Sequence, residues 1–497
     1  MRFRLQQLFI LTAISALLGA CGGSDTRAPT QPHVIWITAG DLALEDLSVY
    51  GGPIPTPNME RIAALGVTFD TAYAAAAQAG PARAALVTGR YPQRFGFTYD
   101  LGPVRPAMVA SSGMPDNAEM IQDRLRALGY TTALFGSWSL GARTEFYPMR
   151  RGFDDFWGTL GDSTSYIAPR AENAVFTKTP NYRLPPSRSR FDMVFVGPMA
   201  DTVQNFKRYL TDDMGEEVAR YIRLHFAGDI TTREAETAAQ DAPKPLFLWA
   251  SFHAPRVPLT ALKSDFDGLP DLGSEERNTY GAMVRALDRN IGLILDTLED
   301  SGALEDAIIV FSADRGCDAV AGTCPCGTLR GGASSFREGG IRIPLIVTFP
   351  GGEQAGTRID LPIISLDIAA TVMDYADLED RLIPEFEGRS LREILDGKTR
   401  RFETRPLYWE QTPLIAIRMD GKKLLQDGQN NRAALYDLTT DPREQTDLAD
   451  DNRYLVSDLE TRLSVWQQSN IFPAWETSKY EPLMICGETE FVVQADR

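Results

Sequence analysis

The chain has 497 residues, 43% hydrophobic and 24% charged, an ordinary globular balance with ample length for a large buried core. Its formal net charge is −17 and its isoelectric point is near 4.8. Such a field repels polyanions unless a local basic cleft overrides it, so no nucleic-acid partner is expected. No internal repeat or long low-complexity tract interrupts the chain.

The first residues read as an address. "MRFR" supplies two positive charges, "LFILTAISALL" is a short apolar run, and "LGAC" ends it at Cys21. The run is too short to span a bilayer comfortably. It resembles a bacterial lipoprotein signal, which implies a signal peptide over 1–20, lipid on Cys21 and a flexible tether over 21–31. The expectation is an exported protein, anchored to the membrane through Cys21. Gly22 and Gly23 lack an acidic residue that would hold it at the inner membrane, which favours the outer one. An ordinary secretory signal with a chance cysteine is the other reading.

From residue 33 strands and helices alternate. "HVIWIT" (33–38), "TTALFG" (131–136), "PLFLWAS" (245–251), "AIIVFSA" (307–313) and "IPLIVTF" (343–349) are apolar runs of the kind buried on both faces of a sheet. Helices are expected over 56–66, 116–128 and 275–300. This alternation implies an α/β fold with a large, mainly parallel sheet flanked by helices, and ligands sit at the C-terminal ends of such strands. The residues there are Gly40 and Asp41, Ser137 to Ser139, His253 to Arg256, and Asp314 to Gly316.

After about residue 385 the pattern changes. "RPLYWE", "IAIRMDG", "KKLLQDG" and "AALYDLT" are short runs separated by turn residues, which predict a small antiparallel sheet over 386–470, completed by a helix over 452–468. Residues 471–497 form a tail, and 32–385 form the main α/β domain. In an exported chain Cys317, Cys324, Cys326 and Cys486 are disulfide candidates with three possible pairings. One short bridge within 317–326 and one from that loop to Cys486 are favoured. "CDAVAGTCPC" lacks C-x-x-C spacing and a nearby His, which disfavours zinc.

Several segments in order resemble the sulfatase family of the alkaline-phosphatase-like superfamily. They include "HVIWITAGDL" (33–42), "AGPARAALVTGRYP" (79–92), "GYTTALFGSWSLG" (129–141), "FHAPRVPL" (252–259), "SADRG" (312–316), "LRGGASSFREGGIRIP" (329–344) and "ALYDLTTDPREQTDLAD" (434–450). The resemblance spans about residues 32–470. It implies a sulfuric ester hydrolase in which a Cys or Ser becomes formylglycine and its hydrate attacks sulfur. A calcium ion held by Asp and Asn or His polarises the sulfate, while Lys and His neutralise and protonate.

Carried onto this chain, most of those groups are replaced. The nucleophile slot is Ala79, the Lys and His flanking Trp138 are Ser137 and Ser139, and the His of the Ala-Pro-His turn is Arg256. The Lys of the glycine-containing loop is Ala333. Among metal-ligand slots, the first aspartate is Gly40 and the Asn or His is Arg315, while Asp41 and Asp314 remain. Arg83 also remains, and Gly89, Pro92, Gly339, Gly340 and Pro344 still fit the scaffold.

The expectation is a pseudoenzyme: a nucleophile slot without a nucleophile, and no cofactor unless calcium binds a residual site. Arg315, with Arg83 as second candidate, is expected to face Asp41 and Asp314 in place of the ion. Two roles follow, binding a sulfated or phosphorylated glycan through Arg83, Arg256 and Arg315, or an interaction role with a protein partner the sequence does not name. The alternative is a hydrolase with a non-standard site using Ser137, Ser139, Ser334 or Ser335, for which His33, His225 and His253 are the only histidine bases.

Overall fold

The computed structural model describes residues 31–101, 112–162, 164–167, 171–179, 193–196, 202–204, 208–228, 243–327, 329–352, 354–376, 386–399, 402–475 and 478–495. Cys21 and the expected signal peptide lie outside them. An 11-stranded sheet runs in the order Thr357–Ile359, Val67–Tyr73, Arg342–Val347, Ala307–Ala313, His33–Ala39, Leu246–Ser251, Thr131–Ser137, Asp155–Thr159, Met193–Val196, Thr202–Gln204. Ile363–Ile364 pairs beside Val67–Tyr73.

The five strands from Ala307–Ala313 to Asp155–Thr159 are mutually parallel. Arg342–Val347 pairs antiparallel with both of its neighbours. Trp36, Trp249, Leu134 and Phe311 are fully buried or nearly so, which is why these strands read as unbroken apolar runs. The parallel register brings the C-terminal ends of neighbouring strands to one edge, so Gly40, Ser137, Phe252 and Asp314 all leave the sheet on the same side.

The helices Pro57–Leu65 and Glu275–Asp300 follow the expected spans closely. Glu275–Asp300 is capped by Ser274, whose side chain accepts from the Arg277 amide, and packs on Pro57–Leu65 and Leu210–Phe226. The helix expected over 116–128 is shorter, Ile121–Ala127, because the preceding "PDNAEM" forms turns. Among the elements not foreseen are the strands Val67–Tyr73 and Asp155–Thr159 and the helices Leu210–Phe226 and Leu366–Tyr375.

The strands Leu407–Gln411, Leu414–Met419, Lys422–Asp427 and Arg432–Asp437 form the expected antiparallel sheet, in chain order. Helix Arg453–Gln467 buries Leu459, Leu463 and Trp466. This sheet joins the main one through a buried ionic trio: Lys423 Nζ lies 2.8 Å from Glu338 Oε1 and 3.0 Å from Glu444 Oε1. Trp409 packs on Tyr73 and donates its indole N–H to the Ala74 carbonyl at 2.8 Å. Residues 32–497 make one contact unit. The tail after 471 folds in part as a hairpin, Ser478–Ile485 against Glu488–Ala495.

The favoured cysteine pairing is the one present, Cys317–Cys324 and Cys326–Cys486.

Candidate functional site

The site lies where the parallel strands end. Asp41 follows His33–Ala39, and Asp314 with Arg315 follows Ala307–Ala313. Arg256 leaves the turn after Leu246–Ser251, and Asp162 leaves the loop after Asp155–Thr159. Arg83 projects from helix Ala79–Thr88, which begins at Ala79. Ala79 is 1% exposed and Ala333 is 6% exposed, and their methyl groups offer no chemistry.

These groups form one ion network, buried except at the partly exposed Asp162. Arg256 Nε donates to Asp41 Oδ2 at 3.0 Å, and its Nη2 donates to Asp314 Oδ2 at 2.6 Å. Its Nη1 lies 2.8 Å from Asp162 Oδ2. Arg315 Nε donates to Asp41 Oδ1 at 2.5 Å. Arg83 Nη2 lies 3.1 Å from Asp314 Oδ2, and its Nη1 donates to Ser137 Oγ at 2.8 Å, to Ser139 Oγ at 2.9 Å and to Asp162. Ser137 Oγ donates to Asp162 Oδ1 at 2.5 Å. Asp41, Ser139 and Ser334 adopt positive φ angles of 58°, 57° and 72°, a strained conformation for side chains of this kind.

Guanidinium groups face both Asp41 and Asp314, with a different leading residue from the one expected. Arg315 reaches Asp41 as anticipated, but Arg256 spans Asp41 and Asp314 together. The count is three arginines against three aspartates, where two of each were expected. The reason is local. A Cβ placed on Gly40 would sit 3.2 Å from Arg256 Nε and 3.3 Å from its Cζ. The space into which a side chain at position 40 would grow is filled by the guanidinium. Asp162 escaped the sequence reading because its strand did. "DFWGT" followed by Leu-Gly-Asp is a strand with an acid just beyond its C-terminal end, which is the signal that marks the other site residues.

Burial opposes ionisation of Asp41, Asp162 and Asp100, and for the first two the arginines decide the outcome. Burial pushes Asp41 up, but Arg256 and Arg315 outweigh it and hold the carboxyl below its usual range. Burial likewise opposes ionisation of Asp162, yet Arg256 and Arg83 bring it well below the usual value. Asp100 differs: burial dominates and raises it, although the Gly80 amide donates to it at 2.7 Å. His253 is lowered to about 3, first by burial and then by Arg83 and Arg256 against the pull of Asp162. Its Nε2 hydrogen-bonds Thr159 Oγ1 at 2.7 Å. It is therefore neutral near pH 7 and lacks the imidazolium proton that a general acid would give up.

A sulfatase family model matches residues 32–378, and a model described as N-sulphoglucosamine sulphohydrolase, C-terminal, matches 335–469. The chain belongs to the sulfatase family. It is 30% identical over 434 residues to N-acetylgalactosamine-6-sulfatase of Canis lupus familiaris, covering 81% of this chain and 76% of the relative. It is 28% identical to human steryl-sulfatase, covering 78% and 73%. Among solved structures, that of Ps i-CgsB in complex with k-i-k-neocarrahexaose superposes with a TM-score of 0.77 at 27% identity, over 90% of this chain and 95% of that one.

Sulfatases normally use calcium. The residues of this chain do not fit that ion. Among the described residues no group of three or more His, Cys, Asp or Glu is placed to hold a metal. Both retained aspartates are instead spanned by guanidinium groups that a divalent ion would have to displace. Of the serines weighed as substitute nucleophiles, Ser137 and Ser139 are bound to Arg83, and Ser335 Oγ donates to the Gly332 carbonyl at 2.8 Å. Neutral His253 faces Thr159. His33 and His225 lie together beside Phe226, His33 at the first residue of its strand.

Proposed function

We propose that this sulfatase-family protein does not hydrolyse sulfate esters. Its pocket holds an arginine–aspartate network in place of the family's nucleophile and metal. The observation that carries the reading is Arg256 spanning Asp41 and Asp314 in the space left open by Gly40. Hydrolysis needs a nucleophile, a charge-stabilising centre and a leaving-group acid. Ala79 removes the first, the arginines occupy the second, and neutral His253 does not supply the third. Purified protein assayed with aryl sulfates and sulfated oligosaccharides, with and without calcium, should give rates equal to buffer. Turnover that disappears in Arg83→Ala or Arg256→Ala would overturn the reading and restore the alternative of a non-standard hydrolase.

A second reading is retention of an anionic glycan without turnover. It draws support from relatives named as N-acetylgalactosamine-6-sulfatase or solved with neocarrahexaose. Against it, Arg83, Arg256 and Arg315 are each already paired with a carboxylate, so the pocket presents no surplus positive charge. A thermal-shift screen of sulfated and phosphorylated saccharides tests it directly. A shift lost in Arg315→Ala supports the glycan role; none across the screen supports an interaction role. We place the protein on the envelope membrane through Cys21, on its signal alone; Cys21→Ser should release it from membrane fractions.

A further inference from the structure

The tail returns to the pocket. In the hairpin Ser478–Ala495, Val492 is fully buried and Val493 is 1% exposed. The Val493 amide donates to the Ser334 carbonyl at 3.2 Å, and its carbonyl accepts from Gln78 Nε2 at 2.7 Å. Ser334 follows Ala333, and Gln78 precedes Ala79, so the hairpin is stitched to both sides of the former catalytic cleft. Ser334 in turn donates its amide to the Ala77 carbonyl at 2.9 Å. Glu490, nearly buried, pairs with Arg330 and lies 3.0 Å from Arg337 Nε, and Glu488 lies 2.9 Å from Arg330 Nη2.

The covalent link is Cys326–Cys486, and both of its cysteines are exposed. The other bridge, Cys317–Cys324, is buried at 2% and 7% exposure. Access decides which disulfide a thiol reagent reaches first. The two bridges therefore do different jobs: one shapes the rim loop, and the other pins the hairpin onto it.

We propose that the Ser478–Ala495 hairpin is a thiol-releasable cover, which the exposed Cys326–Cys486 bridge holds across the pocket. Its opening exposes the Ala79 and Ala333 walls and the arginine–aspartate network. The reductant is a dithiol. One of its thiolates attacks a sulfur of the bridge, breaking the S–S bond and forming a mixed disulfide. Its second thiolate displaces that cysteine, so the dithiol ends as a disulfide and Cys326 and Cys486 end as protonated thiols. With the covalent link gone, the Val493 hydrogen bonds to Ser334 and Gln78, those of Tyr480 with Asp427 and Asn430, the Glu490 and Glu488 ion pairs and the burial of Ile485, Val492 and Val493 remain. The exposed Glu488 pair contributes little, and the Glu490 pairs and the other contacts hold the hairpin only as a local unit, so without the covalent restraint it should open independently of the central sheet. The cover concerns access and holds whether or not the pocket is catalytic.

Hydrogen–deuterium exchange of the full chain, oxidised and after mild dithiothreitol treatment, tests this. Alkylation mapping should find Cys326 and Cys486 free while Cys317–Cys324 persists. Exchange should then rise on the order of tenfold over 478–495, 77–84 and 331–337, with 33–39 and 307–313 unchanged. Cys326→Ser/Cys486→Ser should reproduce that pattern without reductant, and adding Glu490→Gln should enlarge it. Unchanged protection of the hairpin after cleavage, prior cleavage of Cys317–Cys324, or loss of protection through the central strands would each overturn the proposal.

Discussion

Arg256 lies across Asp41 and Asp314, joining the ends of two neighbouring strands through contacts of 3.0 Å and 2.6 Å. Removing it should leave buried carboxylates facing each other. Arg256→Met is expected to lose about 3–5 kcal/mol, the range for breaking a buried ion pair from one side. Urea denaturation near pH 7 measures it. Stability within about 1 kcal/mol of wild type would show that the aspartates find other partners.

Calcium should not stabilise the wild-type protein. A ligand that binds only the folded state raises the melting temperature with its concentration. Here the ion would have to displace Arg256 and Arg315 from Asp41. Millimolar calcium and a chelator should therefore give the same melting curve, and calorimetry should record no binding heat.

Ala79→Cys should not create sulfatase activity, even when co-expressed with a formylglycine-generating enzyme. Catalytic groups that act as a unit lose most of the rate when any one is missing. Ser137, Ser139, Arg256 and Ala333 remain substituted in that variant. Aryl sulfate turnover above the wild-type background would contradict the reading of the site.

Acid should weaken the fold in two stages. His253, held to about 3 by burial, binds its proton in the unfolded chain near pH 6.5 but not in the folded one. Its stabilising contribution is present above pH 6.5 and is lost as pH falls towards 3, by up to about 1.4 kcal/mol per pH unit. Asp41 and Asp162 have depressed values in the folded protein, so their contribution is present above the unfolded value near 3.9 and is lost at lower pH. Urea midpoints between pH 7 and 3 should fall throughout. His253→Asn should flatten the upper part of that curve, and Arg256→Met the lower part.

Lys423→Met should uncouple the two sheets. Lys423 is fully buried between Glu338 and Glu444, and its loss strands two carboxylates. A cost of about 3–5 kcal/mol is expected, recovered in part by Lys423→Met/Glu444→Gln. Equal stability of the single and double variants would show that the trio is not coupled.

The central sheet was legible in the sequence because its parallel strands are covered on both faces and read as unbroken apolar runs. Val67–Tyr73 and Asp155–Thr159 were not, since "VTFDTAY" carries a polar residue at its centre and "DFWGT" is short and begins with an acid. The sequence by itself determined that Ala79, Gly40 and Ala333 carry no nucleophilic, ligating or basic group, whatever surrounds them. It also determined which charges remain. Only the tertiary structure decided how those charges pair, because the partners of Arg256 arrive from strands far apart in the chain and their choice depends on the space left at Gly40. The same holds for the tail. Its cysteine could be counted in advance, but its position over the pocket rests on hydrogen bonds between Val493, Gln78 and Ser334, which are contacts of folded geometry and leave no mark in composition or periodicity.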